Sequence, residues 1–361
     1  MKVLLLAPEL FTPDSGIPRL LRTYLRVLAD LAGGSPQVSF VTLNDRAFDP
    51  TGLPGMPPAA FRSWEVCHGR KRTFVRAVLQ AAPRHDLLLC GHLAQAPVAW
   101  WASCRNRRLR YVVLAHGIEA WRTLGPVQRL AARRAHRIWC VSDHTRRQLL
   151  AHNRLRSERV VVLPSGLDPS FPVVEHAGPG HRPPHILTVS RLSPHDHYKG
   201  IDHLIEAMPA VRRTVPEARL RIVGRGADRE RLQTLAEQRL VLSAVEFVGH
   251  LPDDALRAAL ARSAVFALPS AGEGFGLVYA EALAAGTPCL AADIGGATEI
   301  LTPETGHLVP YGDVPALASA LLRALRQPWD REALAQRARL FSYPSFRLRV
   351  AQALSVIPSH V

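Results

Sequence analysis

Short apolar segments recur along the whole chain, and helical or loop stretches separate each of them from the next. The first series reads KVLLLA, QVSFVTL, HDLLLC, LRYVVLA, HRIWCVS and RVVVLPSG. The second reads HILTVS, ARLRIVG, AVEFVG, AVFALPS, TPCLAAD and GHLVP. Strands that are apolar throughout are buried on both faces, as in parallel sheets covered by helices. The pattern therefore predicts an α/β protein made of two Rossmann-like, doubly wound domains.

The break between the two series is residues 168–185, which hold five prolines and two glycines without any period. Such a composition is typical of a linker. We therefore expect an N-terminal domain over residues 1–169 and a C-terminal domain over residues 170–340. Residues 341–361 carry a helical pattern with no strand after it, so we expect this helix to pack back on the first domain.

The cysteines and the apolar runs limit where the protein acts. The five cysteines are far apart and show neither a CxxC pair nor a metal-binding spacing with histidine, which favours a reducing compartment. The opening run MKVLLLA is too short for a signal peptide, and LAQAPVAWWASC falls short of a membrane span. We expect a cytoplasmic protein, soluble or peripheral on the inner face of the membrane.

The net charge of +15 is concentrated in one region of the chain. Residues 101–160 carry fourteen arginines against three acids, and GRKRTFVRAVLQAAPR upstream is basic and amphipathic. A solvated arginine-rich face accounts for this, and so does an anionic partner such as a membrane surface, a phosphorylated acceptor or nucleic acid. Nucleic acid is disfavoured, because basic and aromatic residues do not alternate as they do in nucleic-acid-binding motifs.

The segment AGEGFGLVYAEALAAGTPC places two glutamates, Glu273 and Glu281, on either side of a glycine-rich turn. It follows the strand AVFALPS, and ligands bind at the carboxyl ends of strands in open α/β sheets. Amide groups at a helix start lack intrahelical partners, so those of Gly274, Phe275 and Gly276 can donate to sugar hydroxyls or phosphate oxygens. The alternative is structural: Glu273 favours the helix dipole, and Glu281 is a solvated helix residue.

A second stretch, SRLSPHDHYKGID, places Arg191 just after a strand and Lys199 just before a helix. The chain has only three lysines against forty-two arginines, so a lysine at this position is unusual. A guanidinium fork and a compact ammonium charge together suit a pyrophosphate. The alternative is a pair of solvated loop charges.

Weaker candidates also lie at predicted strand ends. Gly16 separates the first strand from the first helix, and His116 follows another strand, although a core histidine is the simpler interpretation there. His195 and His197 have metal-binding residue types, but no cysteine or carboxylate partner is within reach by sequence. No Asp-x-Asp pair occurs in the chain, so we expect no metal site.

These motifs together resemble those of a known family. EGFGLVYAE resembles the glutamate-x7-glutamate motif of retaining glycosyltransferases with the GT-B fold, family 4 (glycosyl transferases group 1), which includes sucrose synthases and bacterial mannosyltransferases. The resemblance covers nearly the whole chain. It extends to SGIPRLLRTYLRVLADLA, AHG, VSDHTRRQLL, VLPSGLD, SRL…YKGID, ALPSAGEGFGLVYAEALAAGTPCLAADIGGATEIL and SYPSF. It implies two Rossmann-like domains that face each other across a cleft.

The resemblance also implies a role for individual residues. Arg191 and Lys199 bind the donor diphosphate, and Glu281 binds the nucleotide ribose. Glu273 holds the donor sugar, and His116 touches the transferred sugar near the reacting face. The catalytic set is thus His116, Glu273, Arg191 and Lys199. The full donor-binding set is Gly16, Arg191, Lys199, Glu273, Gly274, Phe275, Gly276, Leu277 and Glu281.

The implied activity is transfer of a hexose from a UDP- or GDP-linked sugar to a hydroxyl of a glycan or lipid-linked acceptor, in cell-envelope or exopolysaccharide synthesis. The configuration is retained, and no cofactor or metal is expected. The chain departs from the family pattern at Ser165, where asparagine is usual, and in a longer loop between Arg191 and Lys199. The alternatives are a sugar-nucleotide epimerase of the same fold and, least favoured, a nucleic-acid-binding protein.

Overall fold

The computed structural model describes residues 1–11, 16–33, 35–174 and 182–358. Within them the chain forms parallel strands connected by helices, as the alternating pattern predicts. The strands are β1 Val3–Ala7, β2 Val38–Thr42, β3 Phe61–Val66, β4 Leu87–Cys90, β5 Arg110–Ala115, β6 Arg137–Cys140, β7 Val160–Val162, β8 His185–Val189, β9 Arg219–Val223, β10 Val245–Gly249, β11 Val265–Leu268, β12 Cys289–Ala292 and β13 Gly306–Val309.

Helices follow most of the strands and cover the faces of the sheets. They are α1 Gly16–Leu31, α2 Lys71–Ala81, α3 Ala96–Arg105, α4 Pro126–Arg134, α5 Asp143–Asn153, α6 Ile201–Thr214, α7 Arg229–Gln238, α8 Asp253–Arg262, α9 Leu277–Ala284, α10 Ala297–Ile300, α11 Val314–Arg326, α12 Arg331–Arg339 and α13 Tyr343–Ser355. No helix in the described ranges is long and apolar enough to cross a membrane.

The chain divides into two compact units, unit 1 with residues 1–166 and 346–361, and unit 2 with residues 167–345. Unit 1 has a parallel sheet in the order β3-β2-β1-β4-β5-β6-β7, and unit 2 has one in the order β10-β9-β8-β11-β12-β13. In both sheets the first three strands run in order from the middle of the sheet to one edge. The chain then returns to the middle, and the later strands run in order to the other edge. This confirms the doubly wound, Rossmann-like fold class for each unit.

Twelve of the thirteen strands are the apolar segments of the two series, and β3 is the one that the pattern does not predict. Its sequence, FRSWEV, exposes four successive side chains, and it pairs only with β2 at the edge of the sheet. An edge strand does not bury both faces, so it lacks the continuous apolar run by which the central strands are recognised.

The terminal helix α13 packs within unit 1 from Phe346 onward, five residues after the expected start of this segment at residue 341. The ring of Phe346 lies edge-on to Tyr24 of α1 at 5.0 Å between centroids, and Tyr24 stacks on Trp139 of β6 at 6.3 Å. A side chain at Gly166 would overlap Phe346, so the glycine allows the chain to pass beneath this ring. These buried aromatic contacts anchor the end of the chain on the first unit.

The predicted linker, residues 168–185, lies partly outside the described residues, at 175–181. Its two flanks bond within unit 2: the Val174 amide donates to the Ala284 carbonyl at 2.8 Å, and Arg182 donates to the Ser263 carbonyl at 2.9 Å. The Leu167 amide donates to the Phe341 carbonyl at 2.8 Å. The second unit therefore begins at residue 167, three residues before the expected boundary.

Candidate functional site

The candidate donor site of unit 2 lies at the carboxyl edge of its sheet. Strands β8 and β11 are neighbours, so the loops that follow them meet there. The first loop carries Arg191 and Lys199, and the second carries Glu273. The Ala271 amide donates to the Tyr198 carbonyl at 2.8 Å and connects the two loops.

Lys199 and Glu273 form an ion pair across these loops. The side chains are largely buried, with 20% and 13% exposed. Burial by itself lowers the pKa of Lys199, but the Glu273 carboxylate and its hydrogen bond outweigh this and raise the pKa above its usual value. The lysine therefore keeps its charge inside the site. The structure brings together the two residues whose roles were assigned from separate motifs.

Arg191 is held by a carboxylate of its own loop. Its Nε donates to Asp196 Oδ2 at 2.8 Å and its Nη2 donates to Oδ1 at 3.2 Å, a bidentate pair. This hydrogen bonding raises the pKa of Arg191, against the opposing effect of partial burial. Asp196 is almost fully buried, whereas the guanidinium remains 59% exposed and accessible to an arriving anion.

Tyr198 lies within the same group of charges. The Lys199 ammonium lies 5.2 Å from the centroid of its ring. Burial raises the pKa of Tyr198, and the charges of Lys199, Asp196, Glu273 and Arg191 all act on it. Arg191, Lys199 and Glu273 therefore form one cluster of charges around Tyr198. Lys199 is largely buried, so the alternative of a solvated loop charge does not describe it, whereas the Arg191 side chain remains 59% exposed.

Glu281 lies on α9, which begins at Leu277, so it occupies the second turn of that helix. Only 4% of the residue is exposed, which rules out the alternative of a solvated helix carboxylate. Carboxylates are rarely buried without partners. Its position in the helix that follows the Glu273 loop matches the arrangement expected from the motif.

The glycine-rich turn is shaped by the packing beneath it. Gly276 has φ of +89°, and a Cβ there would overlap the ring of Tyr279. The Tyr279 hydroxyl donates to the Leu268 carbonyl at 2.5 Å, and Phe275 packs edge-on to Phe341 at 5.5 Å between centroids. The turn is thus fixed to β11 and to the core of unit 2, which holds the backbone of residues 274–276 in one conformation.

Gly224 and Gly226, in VGRGAD, support the Arg191 loop, a role that the sequence patterns did not reveal. Both have positive φ, and a Cβ on either would overlap a carbonyl of that loop, at Ser190 or Leu192. The Leu192 amide donates to the Arg225 carbonyl at 2.9 Å. The sequence feature that could have indicated this role is the pair of glycines at the carboxyl end of β9, which lies next to β8 in the sheet.

The histidines near this site show no metal-binding arrangement. His197 Nδ1 lies 3.5 Å from Asp202 Oδ2, and Arg231 binds the same carboxylate at 2.5 Å. Across the described residues, no group of three histidine, cysteine, aspartate or glutamate side chains is placed to hold a metal ion.

In unit 1, Gly16 and His116 also lie at the carboxyl edge of the sheet. Gly16 begins α1, and residues 12–15 of the predicted phosphate turn lie outside the described residues. A Cβ at Gly16 would meet no atom of the described residues within 4 Å. Close approach of a ligand to the backbone is one reason for glycine at such a position.

His116 is held in a defined orientation after β5. Its Nε2 lies 2.7 Å from the Gly91 carbonyl oxygen, which only accepts, so Nε2 carries the proton. Its amide donates to Glu119 Oε1 at 2.5 Å. In the neutral ring, Nδ1 is then available to accept a hydrogen bond from a hydroxyl group. The residue is only half-buried, and the fold itself satisfies one of its two ring nitrogens.

His92 is a second histidine at this edge, which the sequence patterns missed. Its ring lies 6.2 Å from that of His116, and its Nδ1 accepts from the Ala94 amide at 3.0 Å. Burial lowers the pKa of His92 against the opposing charge of the Glu119 carboxylate, and the nearby His116 and Arg122 lower it further. The sequence feature that could have revealed His92 is its position just after β4, because His116 holds the corresponding position just after β5.

A cavity of about 930 Å³ opens beside His92 at the same edge of unit 1. Its walls are largely apolar and aromatic, and Lys71 lies at its border. The apolar lining includes Pro8, Leu43, Phe74, Val75, Trp100 and Trp101. A shallower recess continues along α2 and is lined by Arg72, Arg76 and Leu79. Nearly half of Trp101 is exposed, 46%, so an apolar surface faces solvent between basic side chains.

Comparison with known proteins matches both halves of the chain. The family model of Glycosyltransferase Family 4 matches residues 15–171, and that of Glycosyl transferases group 1 matches residues 175–341. A GDP-mannose-dependent alpha-(1-6)-phosphatidylinositol monomannoside mannosyltransferase from Mycolicibacterium smegmatis is 34% identical over 74% of this chain and 75% of its own length. Glycogen synthase from Mycobacterium tuberculosis is 38% identical over 51% of this chain, but over only 44% of its own length.

Solved structures share the fold across almost the entire chain. HepE of Anabaena in complex with UDP and glucose gives a TM-score of 0.79 at 20% identity, with 99% of this chain and 100% of that chain covered. Sucrose-phosphate synthase of Thermosynechococcus elongatus gives 0.74 at 22% identity, with 98% of each chain covered. At these identities the likeness establishes the architecture of two Rossmann-like domains.

Proposed function

Because the chain belongs to the family 4 glycosyltransferases (glycosyl transferases group 1), which have the GT-B fold, we propose that it transfers a hexose from a UDP- or GDP-linked sugar to a hydroxyl of a lipid-linked or glycan acceptor. The transfer retains the anomeric configuration and serves the synthesis of cell-envelope or extracellular glycans. The observation that carries the proposal is the cluster of Arg191, Lys199 and Glu273 on two adjoining loops of unit 2.

The cluster suits a diphosphate that arrives with its own negative charge. Each cation is paired with a carboxylate, Lys199 with Glu273 and Arg191 with Asp196. A bound diphosphate attracts both cations, and charge-assisted hydrogen bonds to phosphate are strong. As Lys199 turns to the phosphate, the Glu273 carboxylate becomes able to accept hydrogen bonds from sugar hydroxyls. The same pair then serves both halves of the donor.

The proposed reaction breaks the bond between the anomeric carbon and the phosphate oxygen. The electron pair leaves with the diphosphate, and Arg191 and Lys199 stabilise the charge that develops there. The acceptor hydroxyl attacks the anomeric carbon from the face that the diphosphate leaves, and its proton passes to the departing phosphate oxygen. Transfer on the same face accounts for retention without a second carboxylate across the bond.

The test of this function separates binding from transfer. Titration with a panel of UDP- and GDP-linked hexoses identifies the donor, and a coupled assay then measures free nucleoside diphosphate with and without acceptor. Release of nucleoside diphosphate that depends on acceptor supports the transferase. Conversion of one nucleotide sugar into another without acceptor supports the epimerase instead.

Transfer is expected to continue without a divalent metal. The reason is that the proposed site has two cationic side chains, Arg191 and Lys199, to neutralise a departing diphosphate, and the chain has no Asp-x-Asp pair. Activity measured after dialysis against EDTA should stay within about twofold of the untreated enzyme. Complete loss in EDTA that Mg²⁺ or Mn²⁺ restores would contradict the expectation.

The acceptor is proposed to be lipid-linked and to bind unit 1. The apolar cavity lies at the sheet edge that carries His92 and His116, and basic side chains of α2 border it. An apolar lining suits a lipid chain or an apolar portion of an acceptor, and Lys71, Arg72 and Arg76 suit an anionic headgroup. The enzyme would then act at the surface of an anionic membrane without crossing it.

Membrane association is expected to depend on α2. The double substitution Arg72→Gln with Arg76→Gln should weaken binding to vesicles of phosphatidylglycerol and phosphatidylcholine, because each basic residue near an anionic surface contributes about 1 kcal/mol. The two losses together correspond to roughly thirtyfold in the partition coefficient. Sedimentation at low and at high salt measures the effect.

The control removes equal charge elsewhere, with Arg213→Gln and Arg262→Gln on exposed positions of unit 2. Equal sedimentation of the two double variants would mean that α2 makes no specific contribution. A wild-type protein that stays in the supernatant with anionic vesicles at low salt would refute the membrane proposal and point to a soluble acceptor.

A further inference from the structure

A second, strongly basic recess lies at the opposite edge of the unit 1 sheet. Strands β5 and β6 begin at Arg110 and Arg137, and Arg159 directly precedes β7. Because the three strands are parallel neighbours, their amino ends meet at one edge. That edge is the one away from His92 and His116, which follow the carboxyl ends of β4 and β5.

The recess has a volume of about 480 Å³. Arginines from several different elements of unit 1 converge on it, and no acidic side chain is among the described residues that line it. The arginines are Arg107, Arg110, Arg134, Arg137 and Arg159. In the same wall, Ser103, Tyr111 and His136 add polar groups.

Backbone carbonyls orient two of these guanidinium groups. Arg159 donates to the carbonyls of Arg133 and Ala135 at 3.2 and 3.3 Å, and Arg137 donates to that of His136 at 3.3 Å. The end of α4 thus accounts for the placement of Arg159, since cations are favoured at a helix carboxyl end. These carbonyls fix the positions of the guanidinium groups but do not neutralise their charge.

The surroundings of His136 show that positive charge is concentrated at the recess. Its Nε2 is buried without a hydrogen-bond partner. Burial lowers the pKa of His136, and the charges of Arg137, Arg110 and Arg159 lower it further. Burial is the larger cause, but three arginines that each lower the pKa of one ring place several positive charges around the recess, where an anion is favoured.

We propose that this recess binds a phosphorylated group carrying two or more negative charges, distinct from the donor diphosphate. Several guanidinium forks in one concavity match the oxygens of phosphate in pairs, and their mutual repulsion is relieved when an anion enters. The volume suits a small phosphate ester or a phosphorylated headgroup. Its place on the edge away from His116 separates it from the residues of the proposed transfer reaction.

Inorganic pyrophosphate is the probe, measured by isothermal titration calorimetry on the full chain. The wild type is expected to show two classes of site, one in the recess and one at the donor loops. Arg137→Gln with Arg159→Gln should weaken the recess class at least tenfold. Arg191→Ala with Lys199→Ala should weaken the donor class and leave the recess class intact.

A variant of exposed residues protects the test against misfolding. Arg107 and Arg134 are exposed, so Arg107→Gln with Arg134→Gln should preserve the thermal unfolding midpoint while also weakening the recess class. The charge-matched control is Arg213→Gln with Arg262→Gln on unit 2. If both recess variants bind pyrophosphate as the control does, the proposal is wrong. The proposal is also wrong if Arg191→Ala with Lys199→Ala abolishes all pyrophosphate binding while the wild type still binds a nucleotide sugar of the panel. In that case the donor loops account for all of the pyrophosphate that is bound, and the recess binds none.

Vesicles distinguish a lipid headgroup from a phosphate in solution. Phosphatidic acid in phosphatidylcholine presents a phosphate monoester, and phosphatidylglycerol at matched charge presents a diester. If the recess variants lose preference for phosphatidic acid, the ligand is a phosphorylated lipid. If they lose only pyrophosphate binding, it is a soluble phosphate, and if they lose neither, the recess is not a phosphate site.

Discussion

Replacing Lys199 with alanine is expected to lower kcat/KM for transfer about ten- to a hundredfold. A hydrogen bond to a charged group contributes about 1.5–3 kcal/mol, and in the proposed reaction this contact strengthens as the diphosphate leaves. The loss should appear in kcat as well as in KM, since the interaction matters most in the transition state. Steady-state kinetics with saturating acceptor measure both.

Two further variants separate charge from geometry at this position. Lys199→Arg keeps the cation but replaces a compact ammonium with a planar fork, and it should recover only part of the activity. Arg239→Ala breaks an exposed ion pair with Glu206 in the same unit and should leave transfer unchanged. A Lys199→Ala enzyme that folds normally and turns over at the wild-type rate would remove the assignment of Lys199 to the diphosphate.

The two glutamates of the segment AGEGFGLVYAE are expected to respond in opposite ways. Glu281→Ala should raise the Kd for the nucleoside diphosphate about ten- to a hundredfold, because the buried carboxylate that we propose accepts from the ribose diol is lost. Glu273→Ala should lower kcat by a similar factor and leave the Kd for the nucleoside diphosphate equal or smaller. The reason is that Lys199 loses its partner and becomes fully available to phosphate.

Calorimetry with the nucleoside diphosphate and transfer kinetics on the same preparations give the comparison. Glu246→Ala is the matched control, since it removes a half-exposed carboxylate paired with Arg221 on β9. The same nucleotide affinity in the wild type and in the Glu273 and Glu281 variants would contradict the ribose role of Glu281. If Glu273→Ala weakens nucleotide binding and leaves kcat unaltered, the roles assigned to Glu273 and Glu281, in binding the sugar and the ribose, must be exchanged.

Much of the fold follows from one physical relation between sequence and burial. A parallel strand covered on both faces must be apolar at every position, and twelve strands are recognisable for that reason. The prediction failed at β3, because only one neighbour pairs with this edge strand and most of its side chains face solvent. The loops at the carboxyl ends were equally predictable, since a glycine-rich turn after an apolar strand indicates close backbone approach.

The partners of the charged groups were decided by the tertiary structure. Lys199 and Glu273 are 74 residues apart, and they meet because β8 and β11 are neighbours in a sheet whose order no local pattern specifies. The neighbouring positions of β4 and β5 bring His92 beside His116, and those of β5, β6 and β7 bring together the arginines of the basic recess. The pattern of apolar residues along the sequence indicates which residues are buried. Contacts between residues that are distant in sequence depend instead on strand order, and the chain adopts that order only when both faces of each sheet are packed.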